Sequence, residues 1–181
     1  QLRPIPAIAL EKLRESLMME WTYHSNAIEG NTITLQETRV ILSDGITVGG
    51  KTLREHFETL NHHEAIAALE EKVSPHYQLR ASDIMHIHGL VLQRIEKEFA
   101  GRYRNAGVRI TGANFTPPNA LKVDDLMEEL IEWVNEKNEI PIIVKAMIFH
   151  HRMVWIHPFF DGNGRTVRLI FNLLLMSAGF P

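Results

Sequence analysis

The chain has no cysteine, which excludes disulfide stapling, thiolate nucleophiles and cysteine-rich metal sites. Long apolar runs are also missing: the stretch near Ile142 is broken by Lys145, and the segment 166–178 is too short to span a bilayer. No signal pattern opens the chain, because Gln1 to Leu13 carries Arg3, Pro4, Pro6, Glu11 and Lys12 where an apolar core would stand. An excess of either charge is also missing: 19 Lys and Arg nearly balance 22 Asp and Glu, and a net charge of −3 gives no basis for general nucleic-acid affinity. There is no repeat, low-complexity tract or internal linker. What remains is 181 residues, 45% of them apolar, enough for one proper core. We therefore expect a single domain over 1–181, a cytoplasmic location, no direct nucleic-acid binding and no membrane partner. The start without Met and the end at Gly179-Phe180-Pro181 suggest a piece of a longer protein.

The periodicity is mostly helical. Ala7 to Tyr23 carries Leu10, Leu13, Leu17 and Trp21 at helical spacing. Thr34-Leu35-Gln36-Glu37 and Thr52-Leu53-Arg54-Glu55 read as capping boxes, the first helix stopping near Asp44-Gly45 and the second reaching Glu71. Ser82 or Asp83 would cap another helix running to about Glu96, Lys122 to Asn138 is amphipathic, and Pro141 begins a helix ending near Ile156. Between Gly107 and Pro118 the pattern breaks. Val108-Arg109-Ile110, a Thr111-Gly112-Ala113 turn and Asn114-Phe115-Thr116 predict a short β-hairpin. The expected fold class is all-α with this one hairpin.

The chemistry concentrates in His157-Pro158-Phe159-Phe160-Asp161-Gly162-Asn163-Gly164-Arg165-Thr166-Val167-Arg168. Gly162 and Gly164 would let successive N–H groups converge on an anion. The apolar stretch from Thr166 to Met176, with Gly179 as a stop, predicts a helix whose N-terminus adds unpaired amides and a favourable dipole. Arg165 and Arg168, three apart, would share a face and offer forked donors to phosphates. Asp161 is a hard oxygen ligand suited to Mg²⁺ whose shell is largely filled by phosphates. His157 has the unperturbed pKa of a general base near neutrality. The final helix has almost no polar face and should be buried, so Arg168 and Asn172 need a polar site to point into. Each feature alone has a commonplace reading; together they suit a nucleoside triphosphate site that transfers part of its ligand to a hydroxyl.

This run resembles the H-P-F-x-D-G-N-G-R-x-x-R signature of the Fic family, matching at every fixed position. Ser25-Asn26-Ala27-Ile28-Glu29-Gly30-Asn31 is similar to that family's [S/T]-x-x-x-E-[G/N] inhibitory motif, and weaker likeness covers Ala100-Gly101-Arg102-Tyr103-Arg104 and Pro117-Pro118. The resemblance implies a Fic-type helical domain, divided into an N-terminal inhibitory helix over 1–33 and a core over 34–181. It implies a protein adenylyltransferase that moves AMP from ATP to a Ser, Thr or Tyr hydroxyl of a protein, another or itself. His157 would be the base, Asp161 the Mg²⁺ ligand, and Gly162, Asn163 and Gly164 the anion-binding turn. Arg165 would fix phosphates and Arg168 would meet the γ-phosphate. Glu29, steadied by Ser25, would pair with Arg168 and hold the enzyme inactive; in some relatives the same glutamate positions a water that removes AMP. The hairpin would be a flap in which Val108, Arg109 and Ile110 align the target by main-chain pairing. A homodimer is compatible with the sequence.

Other readings stay open. Transfer of a different nucleotide, of phosphocholine or of phosphate would use much the same residues, although the intact Gly162-Asn163-Gly164 turn separates this chain from phosphate-transferring Doc-type members. A regulatory module with weak or no catalysis is the alternative from a different class, and further domains beyond 181 would bear on it. Zinc is not expected: neither His150, His151 and His157 nor His86 and His88 have the spacing of a common zinc site.

Overall fold

The computed structural model describes residues 6–136 and 139–180. The chain falls into two compact units, dividing at His63 and Glu64.

In the first unit α1 runs from Ala7 to Ile28 and ends at Glu29, where the chain turns through Gly30 at φ +92°. The Leu10, Leu13 and Leu17 stripe forms at helical spacing, but all three side chains are exposed. Two asparagines tie the end of α1 to the next long helix. Asn26 Nδ2 donates to Thr22 O (3.0 Å) and Glu58 O (3.3 Å), and Asn31 Nδ2 donates to Glu55 O (3.1 Å) and Glu58 Oε2 (2.9 Å).

Both predicted capping boxes are present. The Thr34 hydroxyl accepts from Glu37 N (3.2 Å) while Glu37 Oε2 accepts from Thr34 N (2.7 Å), opening α2 over Leu35–Arg39. That helix widens into a π turn at Val40–Asp44 and stops at Gly45, φ +66°. Thr52 and Glu55 form the second box (3.2 and 2.8 Å) at the head of α3, Leu53–Glu70. Glu55 also accepts from the Thr32 hydroxyl and amide (2.6 and 2.8 Å), and these donors hold its carboxyl down at about 2.

The second unit is built from α4 (Ala81–Leu92), α5 (Val123–Asn135), α6 (Ile142–Ile156) and α7 (Asn163–Ser177). Helices α6 and α7 pack as an antiparallel neighbour pair, with α5 against α6 and α4 against α7. Ile84, Ile87, Met127, Leu130, Phe149, Met153, Val167 and Ile170 form the buried interior; each such side chain contributes roughly 1.5–3 kcal/mol by leaving water. Asp83 does not cap α4 from outside. It lies in the first turn and accepts from Arg80 N (3.3 Å), Lys72 Nζ (2.8 Å) and the Tyr77 hydroxyl (2.6 Å). Buried Lys145 donates to Val134 O (3.3 Å) and to Glu136 O, carbonyls that α5 itself leaves unbonded. Asn138, where the sequence placed the end of α5, lies outside the described residues.

Two expectations change. Helix α7 starts at Asn163, three residues before the predicted Thr166, so Gly164 is helical and Gly162 alone of the pair takes the left-handed conformation, φ +73°. The predicted hairpin is not a hairpin: no strand occurs among the described residues. Ala113 N bonds back to Ile110 O (3.2 Å) around a turn in which Gly112, its third residue, has φ +79° while Thr111 does not turn positive. Such a turn splays its arms rather than matching strand twist. Pro117 and Pro118 lack the N–H groups that the returning arm would need. No described helix is long and apolar enough to cross a membrane.

Candidate active site

The site sits where α6 gives way to α7. Helix α6 ends at Ile156, and His157 is its C-cap in the left-handed conformation, φ 51° and ψ 62°, with its N–H on Met153 O (2.9 Å). A side-chain-bearing residue held there stores strain of about 1–2 kcal/mol. That bend ends the helix and starts the connection to α7.

The connection is fixed from three sides. Asn163 reaches back from the first turn of α7, its Oδ1 accepting from Phe159 N and its Nδ2 donating to Phe159 O, both at 2.9 Å. The Asn163 side chain is therefore spent on bracing the loop. The Phe159 ring stacks on His88 of α4 with centroids 3.6 Å apart and planes 6° off parallel. His88 is fully buried; its Nδ1 accepts from Gly101 N (2.9 Å) and its Nε2 lies 3.0 Å from Asp161 O. Those partners require the neutral ring with the proton on Nε2. Burial is the main force pushing His88 down to about 4, with Arg165 adding to it and Asp161 opposing it.

At the head of α7, Asp161 Oδ1 accepts from Gly162 N (2.6 Å) and from Arg165 Nη2 (3.3 Å). The Arg165 side chain is 3% exposed and that of Asp161 35%. The first intrahelical bond is Thr166 N to Gly162 O (2.9 Å), and helical geometry offers no carbonyl to the amides before it, so they face outward from the helix end. A Cβ on Gly162 would meet His88 and Val91 at 3.4 Å, on a backbone that side chains rarely adopt. Arg168, half-buried, lies one turn beyond Arg165. Its charge lies close enough to His150 to add to the burial that lowers that ring's pKa. Asn172 needs no external polar site, because its Nδ2 donates to Arg168 O (3.0 Å) within the helix. Helix α7 is less covered than its sequence suggests: no residue from Asn163 to Ser177 is exposed, but Gly164, Arg168, Phe171, Asn172 and Leu175 form a half-buried stripe along one face.

The second unit thus brings His157, Asp161, Gly162, Asn163, Gly164, Arg165 and Arg168 onto one loop and the opening turns of one helix. Val108, Arg109 and Ile110 lie on the irregular segment, with Arg109 exposed and its neighbours half-buried. Ser25 and Glu29 belong to the first unit, where Ser25 is buried and Glu29, one helical turn on, is exposed at the end of α1. A cavity of about 1130 Å³ beside Tyr77, Lys145 and Met176 opens at the other end of α7 and includes none of these residues.

Two residues of this site had no role assigned from the sequence, although Arg104 lies in the Ala100-Gly101-Arg102-Tyr103-Arg104 segment of family likeness. His88 supports Asp161 and Phe159 from below, and Arg104 donates to the His157 carbonyl (2.8 Å). Gly101 was the available signal for His88: its φ of +70° and a would-be Cβ only 3.0 Å from Met85 O mark a forced close approach beside α4.

The Fic/DOC family matches residues 78–175, over half of the chain. The chain belongs to the Fic/DOC family. Protein adenylyltransferase fic-1 of Caenorhabditis elegans is 36% identical over 177 residues, 96% of this chain but 34% of that protein. Protein adenylyltransferase Fic of Nematostella vectensis is 36% identical over 181 residues, 98% of this chain and 42% of its own length. The chain thus spans less than half of either curated relative. Among solved structures, Fic-1 from C. elegans aligns with a TM-score of 0.88 and 34% identity, covering 99% of this chain and 54% of that one. A Fic-domain-containing signaling protein from Bacteroides thetaiotaomicron aligns with a TM-score of 0.89 and 27% identity over 99% of this chain and 70% of its own. The all-helical Fic fold is therefore the fold of this chain.

Proposed function

We propose that this chain transfers AMP from ATP to a hydroxyl group of a protein. The observation that carries the reading is the joint placement of a left-handed His157 and a helix N-terminus bearing buried Arg165 across one short, fully braced loop. Curated relatives bearing the name protein adenylyltransferase add support.

The triphosphate would lie over the opening amides of α7, where backbone N–H groups and the helix dipole stabilise anionic oxygens. Arg165, pinned to Asp161, presents fixed positive charge, and Arg168 extends that charge one turn further along α7. His157 takes the proton of the incoming hydroxyl. The hydroxyl oxygen bonds to the α-phosphorus, the bond from that phosphorus to the bridging oxygen breaks, and pyrophosphate departs. Orientation and charge stabilisation supply most of the rate in such transfers.

Mg²⁺ fits the residues present. No group of three or more His, Asp or Glu side chains converges among the described residues, and Mg²⁺ often takes one carboxylate with phosphates and water. Asp161, partly exposed at the mouth of the phosphate seat, would hold it; the ion would neutralise charge building on the phosphates. Self-inhibition by Glu29 through Arg168 is part of the proposal, on the strength of the motif at the end of α1. Assistance of water attack on an AMP-modified target by the same carboxylate is a further element.

The test compares label transfer from α-³²P-ATP in Mg²⁺ to proteins of a cell extract by three forms: unsubstituted, Glu29→Gly, and Glu29→Gly with His157→Ala. Label confined to Glu29→Gly is the expected result. Equal transfer by the first two forms would remove the inhibitory role of Glu29. Absence of label in all three, with transfer from another nucleotide or from γ-labelled ATP, would overturn the choice of AMP.

A further inference from the structure

Arg104 is 2% exposed, and its recorded partners are backbone carbonyls. Nε donates to His157 O (2.8 Å), and one proton of Nη2 to Ile156 O (3.3 Å). The other proton of Nη2 goes to Pro118 O (2.6 Å), and Nη1 donates to Ala106 O (2.9 Å). Its own N–H bonds to Pro158 O (2.9 Å).

These carbonyls form two groups. Ile156 and His157 close α6, where the last carbonyls have no helical partner and the dipole favours a cation. Ala106 and Pro118 are the two ends of the irregular segment that carries Val108, Arg109 and Ile110. One rigid, planar guanidinium therefore spans the gap between the strained backbone at His157 and both ends of that segment. Burial lowers the Arg104 pKa, a cost met by oriented carbonyl dipoles.

We infer that Arg104 is a positioning residue that sets the register between the His157 backbone and the 106–118 segment, so that the base and the target hydroxyl meet in line. The inference rests on the proposed transfer reaction. It assigns a task beyond filling the interior, because the same guanidinium holds both ends of the 106–118 segment and the carbonyl of the proposed base. Lysine cannot replace it: an ammonium offers three donors from one point and cannot bridge the two groups of carbonyls.

Arg104→Lys and Arg104→Met are made in the Glu29→Gly chain, with thermal unfolding confirming that each folds. The proposal expects kcat for label transfer to fall about tenfold to a hundredfold and target KM to rise, while Kd for ATP, read by calorimetry, stays within about twofold. Hydrogen exchange should quicken at 105–119 and 156–160 together and keep its parent rate in α5. In the Glu29→Gly chain, the Arg104 Nε–H should lose protection on denaturant addition in step with the His157 amide, which needs no Arg104 variant. Exchange that changes on one side alone, separate openings of Nε–H and His157, or a folded Arg104→Lys with unchanged kcat and KM would each overturn the inference. If Glu29→Gly transfers no label at all, the reaction proposal fails, and the exchange measurements still decide the linkage.

Discussion

The α6–α7 connection and the 105–119 segment are both irregular stretches of the second unit, and they are held in opposite ways. In the first, the polar groups are engaged residue by residue: Phe159 by Asn163, Asp161 O by His88, Gly162 N by the Asp161 carboxylate. In the second, the recorded bonds gather at the ends, on Arg104 and Asn119, with one turn bond at Ile110 and Ala113 between them. A phosphate seat gains from donors that are already in place before the ligand arrives, since nothing then has to reorganise in the transition state. An arm that pairs with a target backbone gains from having main-chain groups not already committed to a partner. The difference in bracing fits the difference in proposed task.

The most severe break in that comparison is His157→Ala in the Glu29→Gly chain. Transfer of labelled AMP should fall about a thousandfold, the range expected for loss of a general base. The denaturation midpoint should move little, because the recorded α6 cap bonds use the backbone of His157. Strong residual transfer would place the base elsewhere.

Acid should cost stability through the braced loop, with half-buried His150 on α6 adding in the same direction. His88 is held near 4, against an ordinary value of 6.5, mainly by burial. Below pH 6.5 the unfolded chain takes up this proton while the native ring stays neutral, so native stability is lost as pH falls from 6.5 towards 4 and does not fall further from this group below that. The loss should amount to about 3 kcal/mol, measured by urea unfolding without divalent metal. His88→Phe, which keeps a ring to stack on Phe159, should flatten that slope. An unchanged slope would show that His88 is not the group responsible.

Two glycines separate strain from contact. Gly162 and Gly112 both have positive φ, +73° and +79°, but a Cβ would touch His88 and Val91 only at Gly162 and meets open space at Gly112. Gly112→Ala should cost about 1 kcal/mol from backbone strain alone, and Gly162→Ala about 2–3 kcal/mol, as measured by chemical denaturation. Equal costs would mean that the loop yields as readily as the arm.

How much of this was legible in the sequence depends on how far apart the partners lie. The two capping boxes were, because Thr34 with Glu37 and Thr52 with Glu55 are short-range pairs. The start of α7 was misplaced because Asn163-Gly164 resembles a turn, and only the reach of Asn163 back to Phe159 shows it to be helical. The splayed arm was foreshadowed by Pro117-Pro118, which the alternating Val108-Arg109-Ile110 pattern outweighed. His88 and Arg104 act on residues 73 and 53 positions away, and no local pattern encodes such a pairing. The signature showed which residues belong together; it did not show what holds them there.

The arm offers the mildest test. Arg109 is exposed between half-buried Val108 and Ile110, so its side chain braces little. If the segment aligns a target through its main chain, removing that side chain leaves the pairing groups in place. Arg109→Ala should therefore change stability by less than about 0.5 kcal/mol. Target KM should shift less than about threefold, the loss of one rim charge at a solvent-screened site. A KM raised tenfold or more at low salt, and restored towards the parent value at high salt, would show instead that Arg109 attracts an acidic target by charge. The arm would then select its partner as well as align it, and its looseness would no longer imply indifference to sequence.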